Sequence, residues 1–139
     1  MAKMIDKKPS WKGEGIVWES LSANLPNSSV VYNQREVNGR EYDFCVMIEN
    51  LGLVIIEVKG WDPNKIDVRG VDNIIIDGYD EPQTSPKKQA RAYRFAILNK
   101  IVEKYNASPL VLDMVCYPFI TQEQYLKTKL DIVSEPEYT

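Results

Sequence analysis

The segment YDFCVMIENLGLVIIEVKGW, residues 42–61, reads as two apolar strands joined by the turn-like sequence ENLG. The strands are predicted at 41–48 and 53–59, and their short connection predicts an antiparallel hairpin. The segment nevertheless carries Asp43 near one end and the sequence Glu-Val-Lys near the other. Because charged groups are costly to bury unless they are paired or bound to a metal, these ends call for a specific explanation.

The geometry of the predicted hairpin brings the charged groups together. Asp43 and Glu57 are equidistant from Asn50, the centre of the turn, so they are expected to face each other across the strand pair. Lys59 lies two residues after Glu57 and projects from the same face. The two carboxylates and the backbone carbonyl of Val58 form a candidate site for a divalent cation, with Lys59 placed to stabilise negative charge. The alternative is a salt-bridged end of an exposed hairpin.

The composition limits the chemistry of such a site. The 139 residues contain no histidine, which excludes histidine-based triads and most zinc sites. Cys45 and Cys116 lie in apolar strand-like runs and form no CxxC pair, so we expect reduced core residues. A metal in this chain would be held mainly by oxygen, which favours Mg²⁺ or Mn²⁺.

The charge and apolar pattern bear on location and partners. The longest apolar run, 51–56, is interrupted by Gly52 and is far shorter than the roughly 20 residues that cross a bilayer. Residues 1–15 are polar and basic and lack the apolar centre of a secretory signal, so we expect a cytoplasmic protein without membrane contacts. The net charge of −3 provides no global attraction to nucleic acid, so any such surface would be local. The oligomeric state stays open.

Hydrophobic periodicity and turn residues divide the chain into helices and strands. Helices are predicted at 14–25, 86–105 and 122–130, with further strands at 30–34, 65–69, 73–77 and 110–117 and an Asn-Gly turn at 38–39. This order predicts an α/β or α+β domain with a mixed sheet between helices. We expect the domain to cover 11–130, between a flexible N-terminus at 1–10 and a polar tail at 131–139 that links it to a further C-terminal region.

Two polar residues are predicted to face inward from the helices. Glu14 begins the apolar stripe of the first helix, although a first-turn carboxylate is also favoured by the helix dipole. Gln89 shares a face with residues that are predicted to point inward from the second helix, namely Tyr93, Ile97, Ile101 and Tyr105. Its alternative role is to hydrogen-bond the end of a strand.

The first half of the second helix also carries four basic residues, Lys87, Lys88, Arg91 and Arg94. Lys87, Arg91 and Arg94 follow the i, i+4, i+7 spacing, so they form one stripe on the helix. Together with Lys88, this stripe is a candidate nucleic-acid-binding surface that contacts phosphates. A solvated helix face is the alternative.

These residues together resemble a known family. The sequence EYDFCVMI followed by LVIIEVKGW resembles the core of the PD-(D/E)xK nuclease superfamily, and more narrowly the nuclease-related domain called NERD. KGEGIVWESLSANL resembles the opening helix of that family, and SPKKQARAYRFAILNKI resembles its Pro-x-x-Gln helix. The resemblance covers about 11–120. The chain departs from the pattern at Tyr42, where the family has a proline before the aspartate.

The resemblance implies a restriction-endonuclease-like α/β core with antiparallel hairpins flanked by helices. It implies an endonuclease-like domain that hydrolyses DNA, with RNA not excluded, and in which Asp43 and Glu57 bind Mg²⁺ or Mn²⁺. Lys59 would assist catalysis, and Glu14 and Gln89 would support the site. Such domains often precede a superfamily-one DNA helicase, so a fused helicase or ATPase region is the expected partner. The alternatives are an inactive nuclease fold that binds nucleic acid or a fused helicase, and a purely structural interaction domain.

Overall fold

The fold is built on one five-stranded sheet with a long helix on each face. The computed structural model describes residues 1–37 and 39–134, so Asn38 of the predicted turn lies outside the described residues. The strands are β1 (Lys3–Met4), β2 (Val30–Val37), β3 (Arg40–Ile48), β4 (Gly52–Val58), β5 (Ile66–Gly70), β6 (Asn73–Ile76) and β7 (Val111–Cys116). The helices are α1 (Lys12–Asn24), α2 (Pro86–Tyr105), α3 (Gln122–Lys127) and α4 (Leu130–Val133).

The large sheet has the strand order β1-β2-β3-β4-β7. Strands β2, β3 and β4 form an antiparallel meander, whereas β1 runs parallel to β2 and β7 runs parallel to β4. Strands β5 and β6 form a separate hairpin. The mixed sheet between helices is confirmed, and the parallel β4–β7 pair, connected through α2, is typical of an α/β fold.

Side chains of the sheet alternate between two cores. Phe44 of β3 and Ile56 of β4 are buried on the face that α1 covers, where Val17 packs against them. Cys45 and Ile55 are buried on the opposite face with Ile97 of α2. Both faces of the central strands are therefore covered, which explains why β3 and β4 read as nearly continuous apolar runs.

A third core lies beneath the β5–β6 hairpin. Trp61, Ile74 and Ile76 pack there against Leu130 and Val133 of α4. Sequence analysis placed the start of the polar tail at residue 131, but residues 131–133 belong to α4 and Val133 is buried. Its carbonyl also accepts a hydrogen bond from the Ser85 hydroxyl. The segment 135–139 of the predicted tail lies outside the described residues.

The first residues form an element that sequence analysis did not identify. Within the N-terminus predicted to be flexible, β1 pairs with β2 and Ala2 is buried in the α1-side core. Asp6 forms an ion pair with Arg35 of β2 at 3.0 Å. A two-residue strand has no periodicity of its own, so sequence analysis had no pattern to detect.

Helix α2 has the predicted bounds because both of its ends carry strong signals. The Ser85 hydroxyl caps the first turn by accepting a hydrogen bond from the Lys88 N–H, and Pro86 occupies the first helical position. Asn106 ends the helix with a left-handed φ of 51°. The prediction that Tyr105 points inward is wrong, since Tyr105, the last residue of α2, is 66% exposed. No helix within the described ranges is long and apolar enough to cross a bilayer.

The start of β4 requires a residue without a side chain. Gly52 has a φ of +138°, which L residues rarely adopt, and a Cβ there would collide with the carbonyl oxygen of Leu110. That same carbonyl accepts a hydrogen bond from the Leu53 N–H at 3.0 Å. The close approach of β4 to the residue before β7 therefore depends on this glycine.

Replacement of Gly52 by alanine should destabilise the fold more than the same change at Gly78. Gly78 also has a positive φ, of +95°, but a Cβ there would meet nothing within 4 Å. Both variants carry backbone strain, and only Gly52→Ala adds a collision, so its loss in free energy of unfolding should be about 1–3 kcal/mol larger. Urea unfolding of both variants measures this difference, and equal losses would contradict the packing described here.

Candidate functional site

The pairing of β3 with β4 ends just before the two carboxylates. Phe44 and Ile56 form the last pair, and the strands then diverge. Beyond it, a carboxylate oxygen of Asp43 accepts a hydrogen bond from the Val58 backbone N–H at 2.7 Å. The Asp43 carboxylate thus accepts the hydrogen bond that a backbone carbonyl of β3 would accept if the β3–β4 pairing continued. This brings the Asp43 and Glu57 side chains together, as the hairpin register predicted.

The two carboxylates interact strongly because they share a buried position. Burial is the main cause that raises the pKa of Glu57 to about 7; the Asp43 carboxylate adds to the rise, and Lys59 opposes it. Burial also raises the pKa of Asp43, while the Val58 N–H and Lys59 favour its charged form. No donor among the described residues reaches the buried Oε2 of Glu57. Since two carboxylates can share a hydrogen bond only when one is protonated, the pair needs a proton or another cation.

Lys59 lies beside the carboxylate pair. Its ammonium is 3.2 Å from an oxygen of Glu57 and 5.9 Å from the centroid of the Trp61 ring. Its backbone N–H donates to the Cys116 carbonyl at 3.0 Å, which extends the β4–β7 ladder by one residue. The lysine is therefore held at the edge of the site by its own backbone and by two neighbouring side chains.

Glu14 reaches the same region from the first turn of α1. Burial is the main cause that raises the pKa of Glu14, and the negative charge of Asp43 adds to the rise. The amide of Gln34 donates a hydrogen bond to the Glu14 carboxylate at 2.8 Å. Glu14, Asp43, Glu57 and Lys59, all predicted as site residues, therefore lie within one electrostatically coupled group.

Gln34 belongs to this group, although sequence analysis did not single it out. It lies in β2 between Asn33 and Arg35, which pair with Phe44 and Tyr42 of β3. Its φ of 54° is left-handed and interrupts the regular strand. The run of polar residues in β2 was the signal in the sequence that could have identified Gln34, because a strand that lies inside a sheet is expected to be apolar.

Gln89 is not brought into contact with the carboxylates by any described hydrogen bond. It lies on α2, and its side-chain oxygen is buried without a partner among the described residues. The prediction that it faces inward therefore agrees with its burial. Its supporting role in the site stays a prediction.

A pocket of about 390 Å³ opens beside the charged group. Glu14, Val58 and Lys59 line one part of it, and Gly13 and Gly60 line the part where α1 approaches the end of β4. If either glycine carried a Cβ, that atom would lie within about 4 Å of the Cα of the other glycine. A side chain on either glycine would narrow this pocket.

The comparisons with known proteins give the family. Residues 9–118 match the family model described as the nuclease-related domain, NERD. The chain belongs to the NERD family. The matched range includes Glu14, Asp43, Glu57 and Gln89. Comparisons with curated proteins and with solved structures gave no match. Membership indicates a nuclease-related domain, while the wider PD-(D/E)xK superfamily and the helicase context stay predictions.

The basic stripe of this NERD chain is largely occupied by ion pairs within the protein. Lys87 and Arg94 both contact the carboxylate of Asp113, with Arg94 at 3.0 Å, and the Asp113 side chain is almost completely buried. Lys88 pairs with Asp72 at 2.9 Å. The guanidinium of Arg91 lies 5.4 Å from the Phe95 ring centroid.

These ion pairs correct the sequence interpretation of the stripe. Lys87 and Arg94 neutralise a buried charge on β7, and breaking a buried pair is strongly destabilising. Helical spacing alone showed a shared face but not the aspartate beneath it. A charge reversal at Arg94 would therefore perturb stability as well as any contact with phosphate. Phosphate binding by Lys88 and Arg91 stays a prediction.

The donor set of the NERD site fits a hard cation with few protein ligands. Within the described ranges, no group of three or more His, Cys, Asp or Glu side chains is arranged to hold a metal. The available donors are the carboxylates of Asp43 and Glu57 and the nearby carbonyl of Val58. Mg²⁺ is commonly bound through one or two carboxylates, with water and substrate phosphate completing its shell. The partnerless Oε2 of Glu57 is consistent with such binding.

Glu57→Gln should stabilise the metal-free protein at high pH. The pKa of Glu57 rises from 4.5 to about 7 on folding, so between these values the folded state retains a proton that the unfolded state has released. The wild-type free energy of unfolding should therefore fall as pH rises through this window. At about pH 8 the variant should be roughly 1–3 kcal/mol more stable than wild type, and at about pH 4 the two should be similar.

Urea unfolding in EDTA across this pH range measures the effect. Glu103→Gln provides the control, because Glu103 is an exposed glutamate on α2. The control should retain the wild-type pH dependence. If Glu57→Gln shows the same dependence as the control, the carboxylate pair is not the source of the effect.

Proposed function

We propose that this NERD domain hydrolyses phosphodiester bonds in DNA with Mg²⁺ or Mn²⁺. The observation that carries the proposal is the buried Asp43–Glu57 pair, with one Glu57 oxygen without a donor and Lys59 at 3.2 Å from the other. Such a pair is unfavourable in its fully ionised form without a cation, which supports a metal-binding role. Family membership supports nuclease chemistry for this domain.

The residues that would hold the ion are Asp43, Glu57 and the carbonyl of Val58. When bound, the ion would supply positive charge to the scissile phosphate and increase the acidity of a water molecule. Asp43 is oriented for this role because the Val58 N–H fixes one of its oxygens at 2.7 Å. Both carboxylates would be ionised in the loaded site, since the positive charge lowers the pKa values that burial raises.

Lys59 and Glu14 complete the proposed chemistry. Lys59 lines the pocket, and its ammonium would stabilise the negative charge that develops on the phosphate oxygens. Glu14 lines the same pocket, and its raised pKa makes it a stronger base than an exposed glutamate. Gln34 would hold the Glu14 carboxylate in place through its hydrogen bond of 2.8 Å. The expected helicase or ATPase partner and the cytoplasmic location stay predictions.

Mn²⁺ or Mg²⁺ should raise the melting temperature of the wild-type protein. A ligand that binds only the folded state stabilises it by mass action, and saturation at about 100 times the dissociation constant corresponds to about 2.7 kcal/mol. For a domain of this size we expect a shift of about 5–10 °C at millimolar metal. Thermal melts with metal and with EDTA measure the shift.

The shift should disappear in Asp43→Asn, which keeps an oxygen acceptor for the Val58 N–H but removes the charge. It should persist in Asp67→Asn, because Asp67 is exposed on β5 and pairs with Arg69. Equal shifts in wild type and Asp43→Asn would place the metal elsewhere on the surface. Absence of any shift in wild type would contradict metal binding.

Glu57→Gln should abolish cleavage of labelled DNA while leaving binding largely intact. Lys59→Ala should reduce the cleavage rate about 10²–10³-fold, the usual cost of removing one charge-stabilising group. Lys104→Ala serves as the matched lysine control, because Lys104 lies in the last turn of α2. Linear and circular substrates with Mg²⁺, Mn²⁺ or EDTA provide the measurement.

The same assay separates an enzyme from a binding module. Metal-dependent cleavage by wild type and Lys104→Ala, but not by Glu57→Gln, supports the proposal. A wild-type protein that binds nucleic acid but cleaves no form of DNA or RNA would replace it with the inactive-module alternative.

A further inference from the structure

Three exposed aromatic side chains surround the pocket beside the charged group. Trp11 is 71% exposed, Tyr79 is 52% exposed and Phe119 is 37% exposed, and all three line the same pocket as Glu14 and Lys59. Single exposed apolar residues are common on protein surfaces, whereas a cluster around a pocket indicates an interaction site. The three residues come from separate parts of the chain, since Trp11 precedes α1, Tyr79 follows β6 and Phe119 follows β7.

The base of this aromatic pocket is closely packed. A Cβ on Gly60 would lie 3.3 Å from the ring of Phe119, and a Cβ on Gly13 would lie 3.3 Å from the ring of Pro118. The glycines therefore allow the backbone of α1, the end of β4 and the Phe119 ring to meet without intervening side chains. Trp11 and Tyr79 are the more exposed of the three residues, so they offer the larger area to a ligand in the pocket.

The few positive charges near the pocket suit a nucleic-acid ligand that is held through few of its phosphates. Lys12, whose ammonium lies 5.7 Å from the Phe119 ring centroid, and Lys59 both line the pocket. Lys87 and Arg94 of the helical stripe, and Lys88 beside it, are instead held by aspartates of the protein itself. Because binding along a duplex backbone relies on many cationic contacts, this chain is better equipped for stacking than for tracking a duplex.

We propose that this aromatic pocket binds an unpaired nucleobase, so that the substrate of the site is single-stranded nucleic acid or an unpaired region. The inference rests on the proposed function, since the phosphate attached to that base would lie near Lys59 and Glu14. Bases within a duplex are stacked on their neighbours and offer no free face to Trp11 or Tyr79. An unstacked base offers such a face, and stacking tolerates any sequence.

Binding to labelled oligonucleotides in EDTA tests the proposal without requiring cleavage. The probes are a single strand of about 12 nucleotides, within the site sizes of single-strand-binding domains, its duplex, and an abasic strand of equal length. Wild type should bind the intact single strand about 5- to 150-fold more tightly than the abasic strand. Ribonucleotide strands of the same sequence show whether the protein binds DNA or RNA more tightly.

Aromatic substitutions then locate the contact. Trp11→Ala and Tyr79→Ala should each weaken binding of the intact strand about 5- to 150-fold and leave binding of the abasic strand unchanged. Trp11→Phe should retain most of the affinity. Tyr105→Ala is the matched control, because Tyr105 is similarly exposed but lies at the far end of α2. Because Trp11 and Tyr79 are exposed, these variants should melt at the wild-type temperature.

Two outcomes would overturn the pocket proposal: equal binding of intact and abasic strands, or equal weakening by Trp11→Ala and Tyr105→Ala. Either result could accompany normal metal-dependent cleavage, which would leave the proposed function intact. Conversely, base-dependent binding through Trp11 and Tyr79 without any cleavage would support the pocket and contradict the nuclease function. The two proposals therefore fail independently.

Discussion

The hydrogen bond from the Val58 N–H to the Asp43 carboxylate determines the geometry of the charged group. Regular pairing of β3 with β4 stops at Phe44 and Ile56, and the Asp43 side chain continues the ladder in place of a backbone carbonyl. This contact fixes one carboxylate at the point where Glu57 is buried. The repulsion between the two carboxylates follows from that placement, and it adds to the rise in the pKa of Glu57 that burial mainly causes.

A second buried charge shows how the same chain treats a carboxylate differently. Asp113 lies on β7 beneath α2 and is matched by Lys87 and Arg94, so its charge is compensated within the protein. Among the described residues, Glu57 has an ion-pair partner, Lys59, on one of its oxygens only. The first arrangement fastens a helix to the sheet, whereas the second leaves capacity for an external cation. Burial alone does not distinguish a structural carboxylate from a functional one, but the completeness of its partners does.

Sequence patterns were sufficient for the features that depend on local chemistry. The facing of Asp43 and Glu57 followed from a turn centred on Asn50, and the bounds of α2 followed from Ser85 and Pro86 at its start and Asn106 at its end. Features that depend on contacts distant in sequence were missed. The ion pairs of Asp113, the pairing of β1 with β2 and the left-handed φ of Gln34 each require a neighbour from another element. No periodicity within one segment encodes such a neighbour.

The parallel pairing of β4 with β7 has a consequence for the order of folding. The β2–β3–β4 meander joins strands that are adjacent in sequence, so it can form early at a small cost in chain entropy. Strand β7 follows the β5–β6 hairpin and α2 in sequence, so its pairing with β4 closes a much longer loop. The Glu57 end of β4 is therefore completed by the pairing with the larger entropic cost, and we expect this step rather than the meander to limit the rate of folding.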